Sequence, residues 1–321
     1  MNIKQIGISA GILALLGVLC AIGIPLLLSD GHAPGADHSD LTGSMKSGST
    51  ANPTYTLSAA FPSTPETVVL YRVVEPEITT ELVSAMAEKM GLEGTIRESH
   101  DQILLSDDPY SLEVHTRSGR VALIDLPRWM NPNGNDLPEN LPSDDEAVGI
   151  ATRYLEKTGL MPPGAVLSGI EHPRIVEYDE NGEEIGIAFE DVQISYSRTI
   201  DGRPVVGSKL TVEIGDGGDI LNVYKLWRDC TPEKEIVVIP PQEAFEELKA
   251  AGVAADTEGQ TVVITGIEPG YYEAPAMDEP AYLIPVYIFT GEVRDGTGEE
   301  TSFVRYVPAS PDFREEIPAV K

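Results

Sequence analysis

Between Ser143 and Asp229 the chain reads as one helix followed by four antiparallel strands, and this stretch limits the fold more than any other. Leu141-Pro142-Ser143-Asp144-Asp145-Glu146 has the form of a helix start. Ser143 and Glu146 are spaced for a capping box, in which each side chain serves the other's backbone N–H. Asp144 and Asp145 add negative charge at the positive end of the helix dipole. Val148, Ala151 and Leu155 then recur at helical spacing, with Ile150 and Tyr154 beside them. Gly159 supplies a left-handed stop, and Pro162-Pro163 prevents continuation.

Four strands are expected after that helix. The first runs from Val166 to Tyr178, and Asp179-Glu180-Asn181-Gly182 turns the chain. In the second, Ile185, Ile187 and Phe189 alternate on odd positions, whereas Val192, Ile194 and Tyr196 alternate on even ones. That change of phase calls for an extra residue near Glu190-Asp191, so a bulge is expected there. In the third, Val206, Leu210, Val212 and Ile214 share one face, opposite Lys209, Thr211 and Glu213, the pattern of a sheet wet on one side. Gly215 to Asp219 makes the last turn before Ile220 to Trp227.

Weaker copies of this plan lie on either side, over about 76–126 and 241–307. In the first, Thr67–Val74 is a strand, and Pro76 opens a helix carrying Val83, Met86, Ala87 and Met90 up to Gly91. Ile103–Leu105, Leu112–Thr116 and Val121–Leu126 follow as strands, with His115 facing solvent and Trp129 packing back. Arg128 to Pro142 is rich in Asn, Pro, Gly and Asp and marks a boundary. In the third copy Pro241 begins a helix with Ala244, Phe245, Leu248 and Ala251. Strands at Thr261–Ile267, Tyr282–Phe289 and Ser302–Val307 come after it. Pro285 lacks an N–H and places its strand at an edge or a bulge.

Ile6 to Leu28 is the clearest indication of location. These 23 residues hold no charge, enough to span a hydrocarbon core of about 30 Å. The main reading is an uncleaved transmembrane anchor. A cleaved signal peptide is the alternative, with a late small-residue site at Ala33 to Ala36, although its apolar core is usually only about 7–15 residues. Lipidation at Cys20 is disfavoured by Leu19 before it. Lys4 lies at one end of the span, and Asp30, Asp37 and Asp40 at the other. The body is therefore expected outside the cytoplasm. Asp30 to Thr64, rich in small residues and lacking periodicity, is a linker.

The expected fold class is α+β, a single N-terminal transmembrane helix followed by helix-plus-antiparallel-sheet units. The expected divisions are an anchor at 1–29, a linker at 30–64, a first unit at 65–130 and a second linker at 131–142. The central unit follows at 143–229, then a third at 230–309 and a tail at 310–321.

Chemistry is harder to find. The chain has 22 basic and 52 acidic residues, a net charge of −30. Such a surface repels nucleic acid, so no nucleic-acid partner is expected. Cys20 and Cys230 fall in different phases, so no disulfide links them. His32, His38, His100, His115 and His172 lack metal-ligand spacing. No phosphate-binding loop, dinucleotide fingerprint or nucleophile elbow is present. Asp229 beside Cys230 disfavours a thiolate. The acidic turns at Asp179 to Glu184, Asp216, Asp219 and Asp295 to Glu300 offer oxygens for calcium without the EF-hand ligand series. The sequence therefore yields no catalytic, cofactor-binding or metal-ligating residues, and no cofactor.

The run Val192-Gln193-Ile194-Ser195-Tyr196, then Asp201-Gly202-Arg203-Pro204-Val205-Val206-Gly207, then Leu210 to Ile214 and Gly218-Asp219-Ile220, is similar to PepSY and thermolysin-propeptide type domains. The tethered layout resembles the extracytoplasmic regulators of a Gram-positive cell-wall histidine kinase, and Tyr282 to Tyr287 resembles their third-unit strand. The resemblance covers about 144–307. It implies inhibition of a peptidase, or regulation by protein contact, outside the membrane, with no catalytic residues to carry over. The functional expectation is a membrane-anchored, non-enzymatic binding or regulatory protein with a protein or peptide partner, docking by strand addition at the Pro285 edge or in a groove between units. An acidic, calcium-assisted cell-envelope hydrolase and a passive envelope component are the alternatives.

Overall fold

A computed structural model describes residues 53–130, 138–178, 184–189, 191–253, 259–294, 300–315 and 317. The span at Ile6 to Leu28 and Cys20 lie outside them. Among the described residues no helix is long and apolar enough to cross a membrane.

The chain begins with β1 (Thr54–Leu57) and β2 (Thr67–Val73), then α1 (Thr80–Met90). A meander follows: β3 (Thr95–Ser99), β4 (Gln102–Asp107), β5 (Tyr110–His115) and β6 (Val121–Asp125), ending in the one-turn helix α2 (Leu126–Met130). Next come α3 (Asp144–Thr158), β7 (Val166–Glu171), β8 (Arg174–Tyr178), β9 (Glu184–Phe189) and β10 (Val192–Ser197). After these lie β11 (Thr199–Ile200), β12 (Arg203–Val206), β13 (Lys209–Ile214), β14 (Ile220–Leu226) and β15 (Cys230–Val237). The last elements are α4 (Pro241–Ala251), β16 (Thr261–Tyr272), β17 (Tyr282–Arg294) and β18 (Glu300–Pro308). The fold is α+β, mostly sheet with few helices.

The helix signals act as their chemistry requires. At α3, Ser143 N–H donates to Glu146 Oε2 at 3.0 Å and Ser143 Oγ at 2.7 Å. These bonds hold the Glu146 carboxyl below its usual pKa. Gly159 ends the helix at φ 76°. Helix α1 starts later than Pro76 suggests, because Thr79 Oγ1 accepts from Leu82 N–H at 3.2 Å and makes Thr79 the N-cap.

One antiparallel sheet has the order β3-β4-β5-β6-β14-β13-β10-β7. The order is a palindrome of two helix-then-meander units. Each unit ends in the strand at the seam, where β6 and β14 pair antiparallel, Leu123 opposite Val223. Both helices cover one face, and a single core runs under them. It includes Val83 and Ala87 of α1, Ala151 and Leu155 of α3, and Leu112, Leu123, Ile194, Val212 and Val223 of the sheet. Burying a side chain such as Leu155 contributes about 1.5–3 kcal/mol.

The second sheet is built around the long ladder β16–β17, Thr261 opposite Arg294 through Tyr272 opposite Ile284. Strands β1 and β12 flank β16, and β18 and β2 flank β17. Helix α4 covers one face, over Val262, Ile264, Tyr287 and Phe289. Leu70, Ile284, Val286, Ile288 and Phe313 form the opposite core.

Several expectations change. Thr54–Leu57 lies in the stretch read as linker, yet pairs in parallel with Thr261–Ile264. Strand β2, assigned by sequence to the first unit, pairs with β15 and β17 of the second sheet. Strand β3 carries only Ile96 as an apolar residue and went unforeseen. The strand bearing Pro285 is central, with β16 on one side and β2 and β18 on the other. Proline is tolerated because pairing with β2 ends at Leu283 and pairing with β18 begins at Val286, so no ladder partner misses its N–H. Docking at a Pro285 edge is therefore ruled out.

The expected strands Val166–Tyr178 and 185–196 are each divided. Strands β8 and β9 form a separate ribbon, while β7 and β10 join the large sheet. The change of phase in the sequence falls at this division. The bulge expected at Glu190-Asp191 involves residue 190, outside the described residues. Trp129's side chain also lies outside them.

The seam implies cooperative unfolding of both units. Leu123→Ala should cost about 2–5 kcal/mol and release α1 and α3 together. Hydrogen exchange with mass spectrometry on the full chain checks this; loss of protection in α1 alone would contradict the shared core.

Candidate functional site

Three times the chain passes between the two sheets at one place. It leaves β10 for β11 at Arg198, leaves β12 for β13 at Gly207-Ser208, and leaves β14 for β15 at Trp227-Arg228-Asp229. At each crossing, backbone groups lose their ladder partners and need others. Arginine serves one such group, the Arg228 carbonyl, and ties the crossings to the β16–β17 connection beside them. Arg198 Nη1 donates to the Arg228 carbonyl at 2.8 Å. Arg228 Nη1 donates to the Ala274 carbonyl at 2.6 Å, and its Nη2 to those of Pro275 and Asp278 at 2.8 and 2.9 Å.

Two buried guanidinium groups require a counter-charge, which Glu273 provides from the end of the β16–β17 connection. Its side chain is 0% exposed. Glu273 Oε1 accepts from Arg228 N at 2.9 Å and Nη1 at 3.3 Å. Its Oε2 accepts from Arg198 Nη1 at 3.4 Å and from Ser208 Oγ. The backbone joins in, with Glu273 N–H donating to the Val206 carbonyl at 2.8 Å. Gly207 has φ +91°, and a Cβ there would stand 2.0 Å from the Glu273 carbonyl oxygen. No side chain fits at that crossing.

Cys230 borders the cluster and accepts from Arg198 Nη2 at 3.2 Å. Burial pushes its thiol pKa up, against the pull of Arg198. That disfavours the nucleophilic thiolate. The cluster is a clamp: its donors and acceptors are engaged with one another.

A second buried group lies on the face of β5 and β6 away from the helices. Glu113 pairs with Arg120, their side chains 9% and 3% exposed. His115 was expected to face solvent but is 3% exposed. Its Nδ1 accepts from Ser118 N–H at 3.3 Å and lies 2.8 Å from Ser118 Oγ, which places the ring proton on Nε2. Burial lowers its pKa, and Arg117 and Arg228 push the same way while Asp101 opposes them. Sequence alternation set His115 on the face opposite the apolar core, correctly. It could not reveal that this face meets the 273–281 segment, to which Arg117 adds an ion pair with Glu279.

The other residues singled out by sequence stay apart. His100 Nδ1 sits 2.7 Å from Asp101 Oδ1 on the surface. His172 Nε2 sits 2.9 Å from Asp144 Oδ1. Met86 and Met90 pack against the helix-face core. Asp216 Oδ1 accepts from Asn140 N–H at 2.6 Å, which pins the connection before α3. Among the described residues no group of three or more His, Cys, Asp or Glu is placed to hold a metal. His32, His38, residues 179–183 and residues 295–299 lie outside them.

A shallow depression lined by Thr64, Pro65, Arg203, Tyr271, Pro285 and Tyr287 among others has a cavity volume of about 20 Å³. That is room for about one water, far below the ~300–1,000 Å³ of small-molecule sites. Tyr271 and Tyr287 turn their hydroxyls to backbone carbonyls, of Val69 at 2.8 Å and Ile239 at 2.7 Å. Those groups hold elements together and are not aimed at a ligand.

No protein-family model matches the chain, and no curated protein does. Solved structures similar to it include these two. An uncharacterized protein from Eubacterium rectale aligns with a TM-score of 0.48 at 10% identity, over 83% of this chain and 92% of that one. The Bacillus megaterium YpeB C-terminal domain aligns with a TM-score of 0.35 at 12% identity, over 76% of this chain and 99% of that one. Neither alignment carries an argument about function.

Two outcomes follow from these clusters. Glu273→Gln keeps the shape but leaves two buried guanidinium groups without a counter-charge, which should cost about 3–5 kcal/mol. Urea unfolding of the full chain measures it, and a change under about 1 kcal/mol would match an exposed pair instead. His115 has a depressed folded pKa, so its contribution is present above the unfolded value of 6.5 and is lost as pH falls through the folded one. His115→Gln should flatten stability against pH below about 6.5 relative to the parent; parallel curves would show that His115 is not protonated on unfolding.

Proposed function

We propose that this is a membrane-anchored, extracytoplasmic protein that acts without catalysis, through contacts with another protein or a peptide. The observation that carries this reading is the tandem of helix-plus-four-strand units fused at β6 and β14. Helix-plus-four-strand units are the architecture implied by the resemblance to PepSY and thermolysin-propeptide type domains. The finer reading, a regulator of a cell-wall kinase or a peptidase, rests on that resemblance and on the tethered layout.

Chemistry at the centre of the molecule supports the non-catalytic part. The hydrolase alternative needs two buried carboxylates facing one another across a cleft, with one free to carry a proton. Among the described residues, Glu113 and Glu273 are instead held by Arg120 and by Arg198 and Arg228, and Glu213, whose pKa burial raises, bonds Asn222 and lies opposite Gln193 and Asn222, not a second carboxylate. The apolar run from Ile6 to Leu28 supports the anchor, and the acidic residues after it support an outward-facing body.

The full chain in its native cells tests both parts. It should stay in the membrane pellet after alkaline carbonate extraction and be cut by protease added to intact spheroplasts. Cross-linking of intact cells should shift it to a discrete heavier species. Release into the supernatant would remove the anchor. Persistence of the monomer alone at saturating cross-linker would remove the contact role.

A further inference from the structure

Strand β7 is an outer strand of the sheet that holds β6 and β14, and among the described residues it pairs only with β10. Such an edge offers unpaired N–H and C=O groups to another strand, and proteins commonly blunt it with charge or proline. The other long edges here are blunted. Strand β3 carries Arg97 and Glu98, and β15 carries Pro232, Glu233, Lys234 and Glu235. Strand β18 carries Arg305 and ends in Pro308. From Val166 to Ile170, β7 has neither charge nor proline, in a chain of net charge −30.

The register adds a second feature. Ile170 lies opposite Ile194 and Gly169 opposite Ser195, but Tyr196 faces Leu167, so Ser168 is the extra residue of a bulge. Without it, Leu167 and Ile170 would point to opposite faces. With it, both share the face of Ile194 and Tyr196, which lies under α3. Leu167 is 43% exposed, and Val166 on the opposite face is 53% exposed. Thr152 bonds the Tyr196 hydroxyl at 3.0 Å, which brings one flank of α3 over this side of the sheet. The result is an apolar strip between a sheet edge and a helix flank. Of the exposed charges on the two elements that border it, Asp144, Asp145, Glu146, Glu156 and Glu171 are acidic, against Arg153 and Lys157.

We propose that β7 takes up an extended segment of a partner protein as an added antiparallel or parallel strand, one that is apolar or hydroxylic in its middle and basic at its ends. Main-chain bonds would give affinity, and contact with Leu167 and Ile170 would select alternate side chains. The acidic surround selects positive flanks and disfavours a second copy of this chain. The inference rests on the protein-contact reading and narrows it to one edge.

The test uses the full chain in detergent and two fluorescein-labelled peptides of about ten residues, with alternating valine and threonine and either lysine or glutamate at both ends. The lysine peptide should bind by anisotropy at least about tenfold more tightly than the glutamate peptide at low salt, with the gap closing as salt screens it. Leu167→Lys should abolish binding, while Val304→Lys, an equal charge change on β18, should leave it intact. Both variants should melt with the parent, since each replaces an exposed side chain.

Equal loss in both variants would reduce the effect to overall charge and overturn the site. Failure of both peptides to bind would overturn strand addition. Dimerisation of the parent that Leu167→Lys abolishes would assign the edge to a second copy and overturn the peptide partner. If the heavier cross-linked species in cells survives Leu167→Lys, the β7 inference fails while the protein-contact reading stands. If the parent forms no such species, that reading itself fails.

Discussion

Glu273 is the residue on which the two halves of the molecule depend. Sheets solve the backbone hydrogen-bond problem only while a chain stays inside them. At one place this chain passes between the sheets three times, and backbone groups there leave the ladders. Arg198 and Arg228 meet the carbonyls of Arg228, Ala274, Pro275 and Asp278. Two buried positive charges cannot stand alone, and among the described residues Glu273 pairs with both. A buried ion cluster is weak evidence of net stability, because desolvation offsets the attraction. What it does here is tie Arg198, Ser208 and Arg228, one from each crossing, to a single carboxylate.

That clamp explains why the centre of the sheet has an uncommon character. The helix face of β5 and β6 is apolar, with Leu112, Val114, Val121 and Leu123 all buried. The opposite face is buried too, yet it carries Glu113, His115 and Arg120. A sheet with one wet face would leave these groups in solvent. Here the segment after Glu273, held by Arg228 and by the Arg117–Glu279 pair, stands on that side. Polar alternation was therefore kept while the solvent was removed, and each polar group found a near partner: Arg120 for Glu113, Ser118 for His115.

Local grammar made much of this legible. The cap at Ser143, the stops at Gly91 and Gly159, and the alternation in β10 and β13 are short-range signals, and they located their elements. The phase change after Phe189 was read from sequence as a bulge. It coincides with a larger event, the departure of the β8–β9 ribbon from the sheet. What stayed hidden was long-range. Nothing near Thr67 shows that β2 pairs with Cys230–Val237, and nothing near Pro285 shows that its missing N–H falls in the gap between two neighbours. The clamp was invisible for the same reason: Arg198, Arg228 and Glu273 look like three more charges in a charged chain. Only the glycine at 207, next to a strand and before a serine, hinted at a close approach.

The charge that hid the clamp also bears on the β7 edge, which is uncharged from Val166 to Ile170. Edge strands are blunted chiefly to stop a protein from pairing with itself. A chain at −30 already has a general defence, since two copies must bring like charges together. That repulsion reaches only about a Debye length, some 8–10 Å at physiological salt, but strands in a sheet lie about 5 Å apart. Pairing of β7 with its own copy would therefore bring the exposed acids on α3 and Glu171 within reach of their counterparts. An unlike strand with positive ends meets attraction at the same distance. Global charge can thus replace local blunting at β7, leaving an edge closed to its own kind and open to a partner of opposite sign.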